Sequence, residues 1–361
     1  MSKLHADAPQ LIYRSLPILV SYITLAAALA LNACRAIYKR YQARQKANDW
    51  ASPARRTHFF IFAALAVLSL GATWFYMFAF FAHSYRNWEE TRSVLDLQGA
   101  EVSISFKLEL WLQKAKLFRE AWETVIETPA RFWWSGQIFL WTTGWSVFLG
   151  IMARRYRIAH VWAYMLLGQI VAISFAQNLF FATILVSRQP TSAEKEEGDE
   201  LSKEFSWSPP LYSELLPVAS SLLSTVAVPM VAHTKYFMAL LLIPHLLLFV
   251  PAVLRPSRSE KDQAATKARS RAHDADNTTR RYIVFFQLLI AACVFLQAHS
   301  TLQVLEHSGT RDFGTLTRTL LAAIYEHPAV SSVSWDVIYC TVTAMAWFSV
   351  NGGDPNRMLG E

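Results

Sequence analysis

Long apolar runs without charges constrain the fold of this chain more than any other feature of its sequence. Residues 15–34 and 59–81 contain no charged side chain. A membrane-spanning helix needs roughly 20 apolar residues to cross a hydrocarbon core of about 30 Å. Because hydrocarbon offers the backbone no hydrogen-bond partners and these runs are too long for barrel strands, they predict helices. Seven segments qualify as predicted spans, at 15–34, 59–81, 132–153, 161–187, 236–254, 282–305 and 334–352.

The composition agrees with a membrane protein. Hydrophobic residues make up 53% and aromatic residues 14% of the chain, and the hydrophobic share exceeds that of an ordinary soluble domain. We therefore predict an all-α fold, a polytopic membrane helix bundle that forms a single transmembrane domain over residues 1–361. The first apolar run is too long for a signal peptide and lacks a cleavage site after it, so we expect a retained anchor.

The distribution of charge predicts an orientation. Loops 35–58, 154–160 and 255–281 carry seven, three and eight basic residues against one, none and four acidic ones. Acidic residues outnumber basic ones in the loops that alternate with these. The positive-inside rule places the basic loops in the cytosol, in contact with anionic lipid headgroups and not with nucleic acid. We expect an endoplasmic reticulum protein with a lumenal N-terminus and a cytosolic C-terminus.

Three further segments need a different interpretation. An eighth span over residues 215–231 would break the charge segregation, and Pro217 and Pro229 lie within it. We therefore expect this segment to lie in the interface or to re-enter the membrane. The charged segments 188–210 and 255–281 are predicted linkers.

Two loops on the non-cytosolic side are predicted to contain surface helices. Apolar residues recur at helical spacing over 108–127, which predicts an amphipathic interfacial helix. A second helix is expected over 316–325. Together the two helices would roof a cavity between the spans.

The sequence lacks the common catalytic motifs. It has no phosphate-binding glycine loop, no G-x-S-x-G elbow, no H-E-x-x-H and no paired C-x-x-C. The ten histidines are scattered along the chain. We therefore expect neither a metal nor a cofactor.

Asp336 is the only acid inside the seven predicted spans. A carboxylate at a helix centre costs about 2.5 to 3.5 kcal/mol on insertion scales, so an intramembrane acid suggests function. Burial would keep a proton on Asp336, which a general acid needs. The alternative is that Asp336 caps the N-terminus of its own helix, and both interpretations stay open at this point.

Other polar and aromatic residues are candidates on weaker grounds. Glu120, Glu123 and Glu127 share one face of the amphipathic helix, and Glu123 is our choice for a second acid, although a solvated face is the usual meaning. Polar residues within the spans are most simply explained by hydrogen bonds between helices. Aromatic rings can instead stabilise a carbocation without attacking it. The candidate substrate-binding residues are Trp133, Trp134, Gln137, Gln177, Asn178, His245 and Trp335.

Several segments together resemble a known group of proteins. They are 120–123, 128–135, 168–169, 176–179 and 327–336, and they resemble fungal membrane proteins that include terpene cyclases of meroterpenoid biosynthesis, of the ascochlorin, ascofuranone and macrophorin type. The resemblance implies that a hydrophobic prenylated aromatic substrate is cyclised after protonation of a terminal epoxide or olefin. Asp336 would donate the proton and Glu123 would assist. The alternative is a non-enzymatic membrane protein, either a small-molecule transporter or a lipid-binding scaffold.

Overall fold

The computed structural model describes residues 8–48, 50, 52–94, 104–187, 209–254, 271–309 and 312–360. Across these residues all regular secondary structure is helical, which confirms the all-α prediction. Within the described residues, four helices are long and apolar enough to cross a membrane, which supports a membrane protein. They are Leu16–Ala47, Pro53–Thr91, Thr278–Ser308 and Pro328–Val350. The predicted linkers 188–210 and 255–281 fall largely outside the described residues.

The helices are numbered here in chain order. The first half of the chain contains α1 Ala8–Ala47, α2 Pro53–Val94, α3 Ile104–Lys114, α4 Leu117–Ile126, α5 Pro129–Arg155, α6 Val161–Ile170 and α7 Ile173–Val186. The second half contains α8 Leu211–Ala227, α9 Phe237–Leu247, α10 Phe249–Val253, α11 Arg271–Ser308, α12 Phe313–Glu326, α13 Pro328–Val350 and α14 Pro355–Met358. The end of the bundle with Arg154 and Arg281 is called the basic end. The opposite end carries α4 and α12.

Helices α6 and α7 form a hairpin, and the predicted single span over 161–187 is therefore wrong. The Tyr164 hydroxyl lies 2.7 Å from Oγ1 of Thr183, whereas one continuous helix would separate these residues by about 28 Å. Closer to the tip, a Cβ on Gly168 would lie 3.6 Å from Cβ of Ala176. The two helices are thus antiparallel. Both ends of the segment lie at the same end of the bundle.

The hairpin is held at its base by arginines of α1 and α2. Arg44 donates to the carbonyl oxygens of Val186 and Ser187 at 2.8 and 2.6 Å, and Arg55 donates to that of Leu185 at 2.8 Å. These carbonyls have no partner within a helix that ends here, and cations are favoured at a helix C-terminus. Every residue of α7 is buried. Helix α7 is therefore a core element surrounded by other helices, whereas α6 is buried in part and exposes Trp162.

Residues 211–233 connect the two ends of the bundle, and α8, which is 17 residues and about 26 Å long, covers most of that distance, so this segment does not lie flat across one end as an interfacial helix would. At the start of α8, Glu214 lies 3.0 Å from Nη2 of Arg281 and 3.9 Å from Nη2 of Arg154. Beyond the end of α8, His233 lies 3.5 Å from Glu123 of α4. Helix α5, which connects these two regions, is about 40 Å long. Residues 211–233 thus connect the two ends of the bundle, as the sequence predicted for 161–187.

The surface segment before α5 also differs from expectation. The predicted helix over 108–127 is divided at Ala115 and Lys116 into α3 and α4. Helix α5 begins at Pro129, where Oγ1 of Thr128 accepts the Arg131 N–H at 3.3 Å. This cap fixes α4 across the top of the bundle, because only two residues connect it to α5. The predicted helix over 316–325 is part of α12.

Candidate functional site

A cavity of about 370 Å³ lies between the tip of the hairpin and α4. Thr142 in its wall is the fourteenth of the 27 residues of α5, so the cavity lies about halfway between the two ends of the bundle. Most of the lining is apolar or aromatic, including Phe118, Trp122, Ile138, Leu166, Leu241 and Phe249. The polar side chains in the lining are those of Thr73, Thr142, Gln169, His245, Ser332 and Asp336. The cavity has the volume range and mixed lining typical of a small-molecule site.

Asp336 closes one wall of this cavity and caps the hairpin tip. Its Oδ2 accepts the Ile173 N–H at 3.0 Å. Its Oδ1 accepts the Ser174 N–H at 2.9 Å and the Ser174 hydroxyl at 2.5 Å. Ile173 and Ser174 are the first two residues of α7, whose N–H groups have no partners within the helix. The side chain is 7% exposed.

Asp336 does not cap its own helix, so that alternative is wrong. Helix α13 begins at Pro328, eight residues earlier, and its N-cap is His327. Nδ1 of His327 accepts the Ala329 N–H at 3.2 Å. Burial lowers the pKa of His327 to about 4, and the neighbouring His83 and Arg131 add to the shift. At neutral pH the ring is therefore uncharged and Nδ1 is free to accept.

The bonds around Asp336 favour the negative charge that remains when it gives up a proton. Two backbone N–H groups and one hydroxyl donate to the carboxyl group, and the positive end of the α7 dipole points at it. Oδ2 accepts only the Ile173 bond among the described residues, so it retains a lone pair that can carry the proton. This arrangement suits a buried acid that transfers its proton once to a bound ligand.

His245 provides a second titratable group in the same lining. Its Nδ1 lies 2.6 Å from the Leu241 carbonyl oxygen. A carbonyl oxygen only accepts, so Nδ1 carries the hydrogen and the neutral ring leaves a lone pair on Nε2. The ring packs against Trp122 and Phe139, at centroid distances of 6.3 and 5.3 Å. His245 is thus positioned as a proton acceptor beside aromatic faces.

Gln169 supplies the third polar contact. Its side-chain nitrogen is buried and has no hydrogen-bond partner within the described part of the chain. Unpaired buried donors are rare because they cost about 1 to 3 kcal/mol. By comparison, Ser332 donates to the Thr73 carbonyl at 3.0 Å and Thr142 to the Ile138 carbonyl at 2.6 Å. Gln169 is the side chain in this lining whose donor a ligand oxygen would satisfy.

The structure does not bring the other predicted tryptophans and amides to this cavity. Nε1 of Trp133 donates to Thr301 at 2.9 Å, and Nε1 of Trp134 to the Leu320 carbonyl at 2.8 Å. The Gln137 amide donates to the Trp133 carbonyl at 2.9 Å. The two tryptophan bonds tie α5 to α11 and α12, and the Gln137 bond lies within α5. They match the alternative of packing between helices.

The remaining predicted residues are also outside the cavity lining. Gln177 and Asn178 lie within α7, where Asn178 donates to Thr343 of α13 at 2.9 Å. The ring of Trp335 lies 5.8 Å from that of Tyr339. Glu123 pairs with Arg119 at 2.8 Å on α4. Of the predicted site residues, the structure brings together Asp336 and His245.

Sequence reasoning missed several lining residues. Phe118 and Trp122 belong to the apolar stripe of the predicted amphipathic helix, which we expected to face the membrane. Their apolar face instead covers the cavity, as the predicted roof required. Helix α12 contributes no residue to the described lining. Gln169 was visible as a polar residue in an apolar run, but nothing in the sequence separated it from Gln177.

Comparison of the chain with known protein families, with curated proteins and with solved structures gave no match. Its function is therefore inferred from the cavity itself.

Proposed function

We propose that this chain is a membrane-bound terpene cyclase that acts on a prenylated aromatic substrate. One observation carries the proposal: Asp336 is the acid in the described lining of a cavity whose other walls are mainly apolar and aromatic. The resemblance to fungal meroterpenoid cyclases implies the same reaction. Charge placement supports an orientation with the N-terminus in the lumen and the basic end in the cytosol, and the endoplasmic reticulum as the membrane is part of the proposal.

The reaction would begin with proton transfer from Asp336. The proton moves to the oxygen of a terminal epoxide, the carbon–oxygen bond breaks toward that oxygen, and an alcohol forms. The electron pair of a neighbouring double bond attacks the resulting electron-poor carbon and closes a ring. The donors from Ile173 and Ser174 then stabilise the carboxylate that remains. An olefin would be protonated on carbon in the same way.

The remaining steps move and then remove the positive charge. Rings of Phe118, Trp122 and Phe249 line the cavity, and aromatic faces stabilise a cation without reacting with it. His245 would accept a proton from the carbon next to the final cation, and the electrons of that C–H bond form a double bond. One proton enters the substrate and one leaves it, so the net reaction is an isomerisation, and return of the proton from His245 to Asp336 restores the protein for the next turnover. Glu123 has no part in this mechanism because it pairs with Arg119 outside the lining.

The decisive experiment compares turnover in microsomes that contain the protein. An epoxidised farnesyl phenol is supplied, and cyclised product is measured for the wild type, Asp336→Asn and Asp312→Asn. Asp312 is an exposed helix cap that accepts the Thr315 N–H at 2.7 Å, so it controls for loss of a capping carboxylate. Because general acid catalysis contributes typically 10² to 10⁴-fold, Asp336→Asn should lose about that factor while Asp312→Asn stays near the wild type.

Folding of the variants must be checked because Asp336 also holds the hairpin. Gel filtration in detergent identifies misfolded protein. Asp336→Glu is a second control, because it keeps a carboxyl group but places it one methylene farther from the backbone. Partial activity in Asp336→Glu is expected. Full turnover by Asp336→Asn, or no product from the wild type, would contradict the proposal.

A small-molecule transporter is the second candidate, and the hairpin favours it. Short helices whose ends meet at mid-depth beside a carboxyl group are typical of transporter binding sites. Against this, the hairpin is closely packed below the tip, where the Phe181 and Trp347 rings stack at 4.3 Å. A transporter would need an open path for its ligand through this packed region. Uptake of the unchanged compound into proteoliposomes, without product, would favour transport.

A further inference from the structure

We infer that the cavity is filled sideways from the bilayer, through an apolar mouth between α4 and α9, by an uncharged isoprenoid chain dissolved in the lipid. The mouth is formed by Phe118, Leu242 and Leu246. The route of entry does not depend on whether the ligand is then cyclised or transported, and the choice of an isoprenoid chain rests on the proposed function.

The outward-facing part of the lining is entirely apolar. Phe118, Leu242 and Leu246 line the cavity and are 53%, 41% and 68% exposed. All other described lining residues, including every polar one, are buried or half-buried. An opening to water would be expected to have a polar rim. A rim of leucine and phenylalanine instead faces hydrocarbon.

The three residues lie around one opening. Leu242 and Leu246 are one turn apart on α9, and His245 lies between them in sequence. The His245 ring contacts Trp122 of α4, and Phe118 lies one turn before Trp122 with ring centroids 6.4 Å apart. The Trp122 and His245 contact therefore forms the back of the opening. The exposed side chains stand in front of it.

The position of the opening restricts the charge that a ligand can carry. The cavity is near the middle of α5, at a level where a charged group costs several kcal/mol to insert. A diphosphate or carboxylate would not pass this rim. An uncharged chain with one small oxygen function would, and that oxygen could then bind the unpaired nitrogen of Gln169 or the Asp336 carboxyl group.

Photolabelling tests the route without requiring turnover. The full chain is reconstituted in phosphatidylcholine vesicles that contain a farnesyl phenol with a diazirine on its chain. Labelled cavity peptides are quantified by mass spectrometry against a lipid-facing peptide of α11. The test variant is Leu242→Trp with Leu246→Trp, which fills the mouth. The matched control is Ile243→Trp, since Ile243 is 54% exposed on the same helix but is not in the lining.

The double variant should reduce cavity labelling by about tenfold, and Ile243→Trp should leave it near the wild type. Leu246→Ala, which widens the mouth, should label faster. The inference would be overturned if the double variant were labelled in the cavity as strongly as the wild type, or if Ile243→Trp lost as much labelling as the double variant. It would also be overturned if the wild type showed no cavity labelling. The experiment is repeated in Asp336→Asn, where labelling without product separates failure of catalysis from failure of entry.

Discussion

The hairpin α6–α7 and helix α8 exchange the places that their sequences suggest. Residues 161–187 form the longest predicted span and contain no acidic or basic residue, yet they turn back at Val171 and Ala172. Residues 211–233 contain Glu214 and an internal proline, Pro217, yet they connect the two ends of the bundle. The difference shows that hydrophobicity alone does not separate a span from a buried hairpin.

Exposure gives the physical reason. All side chains of α7 are buried by other helices, so its apolar residues pack against protein instead of lipid. Helix α8 has the pattern of a lipid-facing helix, since Leu216 and Leu223 are 64% and 71% exposed while Val218 and Ser221 are buried. Exposure in the bundle separates the two segments where apolar composition does not: α7 packs against protein on every face, whereas α8 turns its leucines outward and places Ser221 against Thr143 of α5 at 2.6 Å.

The charge on α8 is tolerated because it is paired. Glu214 is 1% exposed and accepts bonds from Arg281 and the Tyr282 hydroxyl, at 3.0 and 2.8 Å. Removing one member of a buried ionic group costs about 3 to 5 kcal/mol. We expect Glu214→Ala to lower the free energy of unfolding by about this amount, measured by denaturant titration in mixed micelles. Glu326→Ala is the control, because its pair with Arg131 is exposed and should cost about 0 to 1 kcal/mol. Equal losses would show that α8 does not depend on this network.

The close packing of the hairpin gives the next largest effect. A Cβ on Gly168 would lie 3.0 Å from Cδ1 of Ile173, so a larger side chain must push α6 and α7 apart. Gly168→Leu should cost about 1 to 3 kcal/mol of unfolding free energy and reduce turnover as well, because the displaced tip holds Asp336.

Gly71 provides the matched control for Gly168. It lies within α2, and a Cβ there would meet no atom within 4 Å. Gly71→Leu should therefore leave stability within about 0.5 kcal/mol of the wild type. If Gly168→Leu were equally harmless, α6 and α7 would not be packed as a hairpin.

A single hydrogen bond across the hairpin gives a smaller effect. Tyr164→Phe removes the contact with Thr183 while keeping the ring that packs on Phe180 at 5.2 Å. The expected loss is about 0.5 to 1.5 kcal/mol in the same unfolding assay. Tyr325→Phe, at an exposed position of α12, should have no measurable effect. A loss confined to Tyr164→Phe is specific to antiparallel packing, since continuous helices cannot make this contact.

The sequence predicted most of the helices but not the pairing between distant ones. Apolar runs located α1, α2, α5, α11 and α13, because lipid and helix length impose a simple rule. The cap that Asp336 places on Ser174 joins residues 162 positions apart, and no local pattern encodes it. For the same reason, Asp336 was singled out correctly as a buried acid, while its partners and the lining residue Trp122 were not.

Cysteine accessibility tests the exchange of places with the least disturbance, because only exposed residues change. Arg157 lies before the hairpin, Tyr212 is the second residue of α8 and His233 follows that helix, and all three are exposed. Each variant is made in a chain whose own cysteines are replaced by serine, and sealed microsomes are exposed to a membrane-impermeant maleimide. Arg157→Cys and Tyr212→Cys should both be labelled or both be protected, and His233→Cys should show the other result. The sequence-based topology instead places Tyr212 with His233. The comparison needs no knowledge of which side is cytosolic, because each cysteine is judged against the others. Labelling of Tyr212→Cys together with His233→Cys would restore 161–187 as a span and would remove the hairpin tip from the cavity.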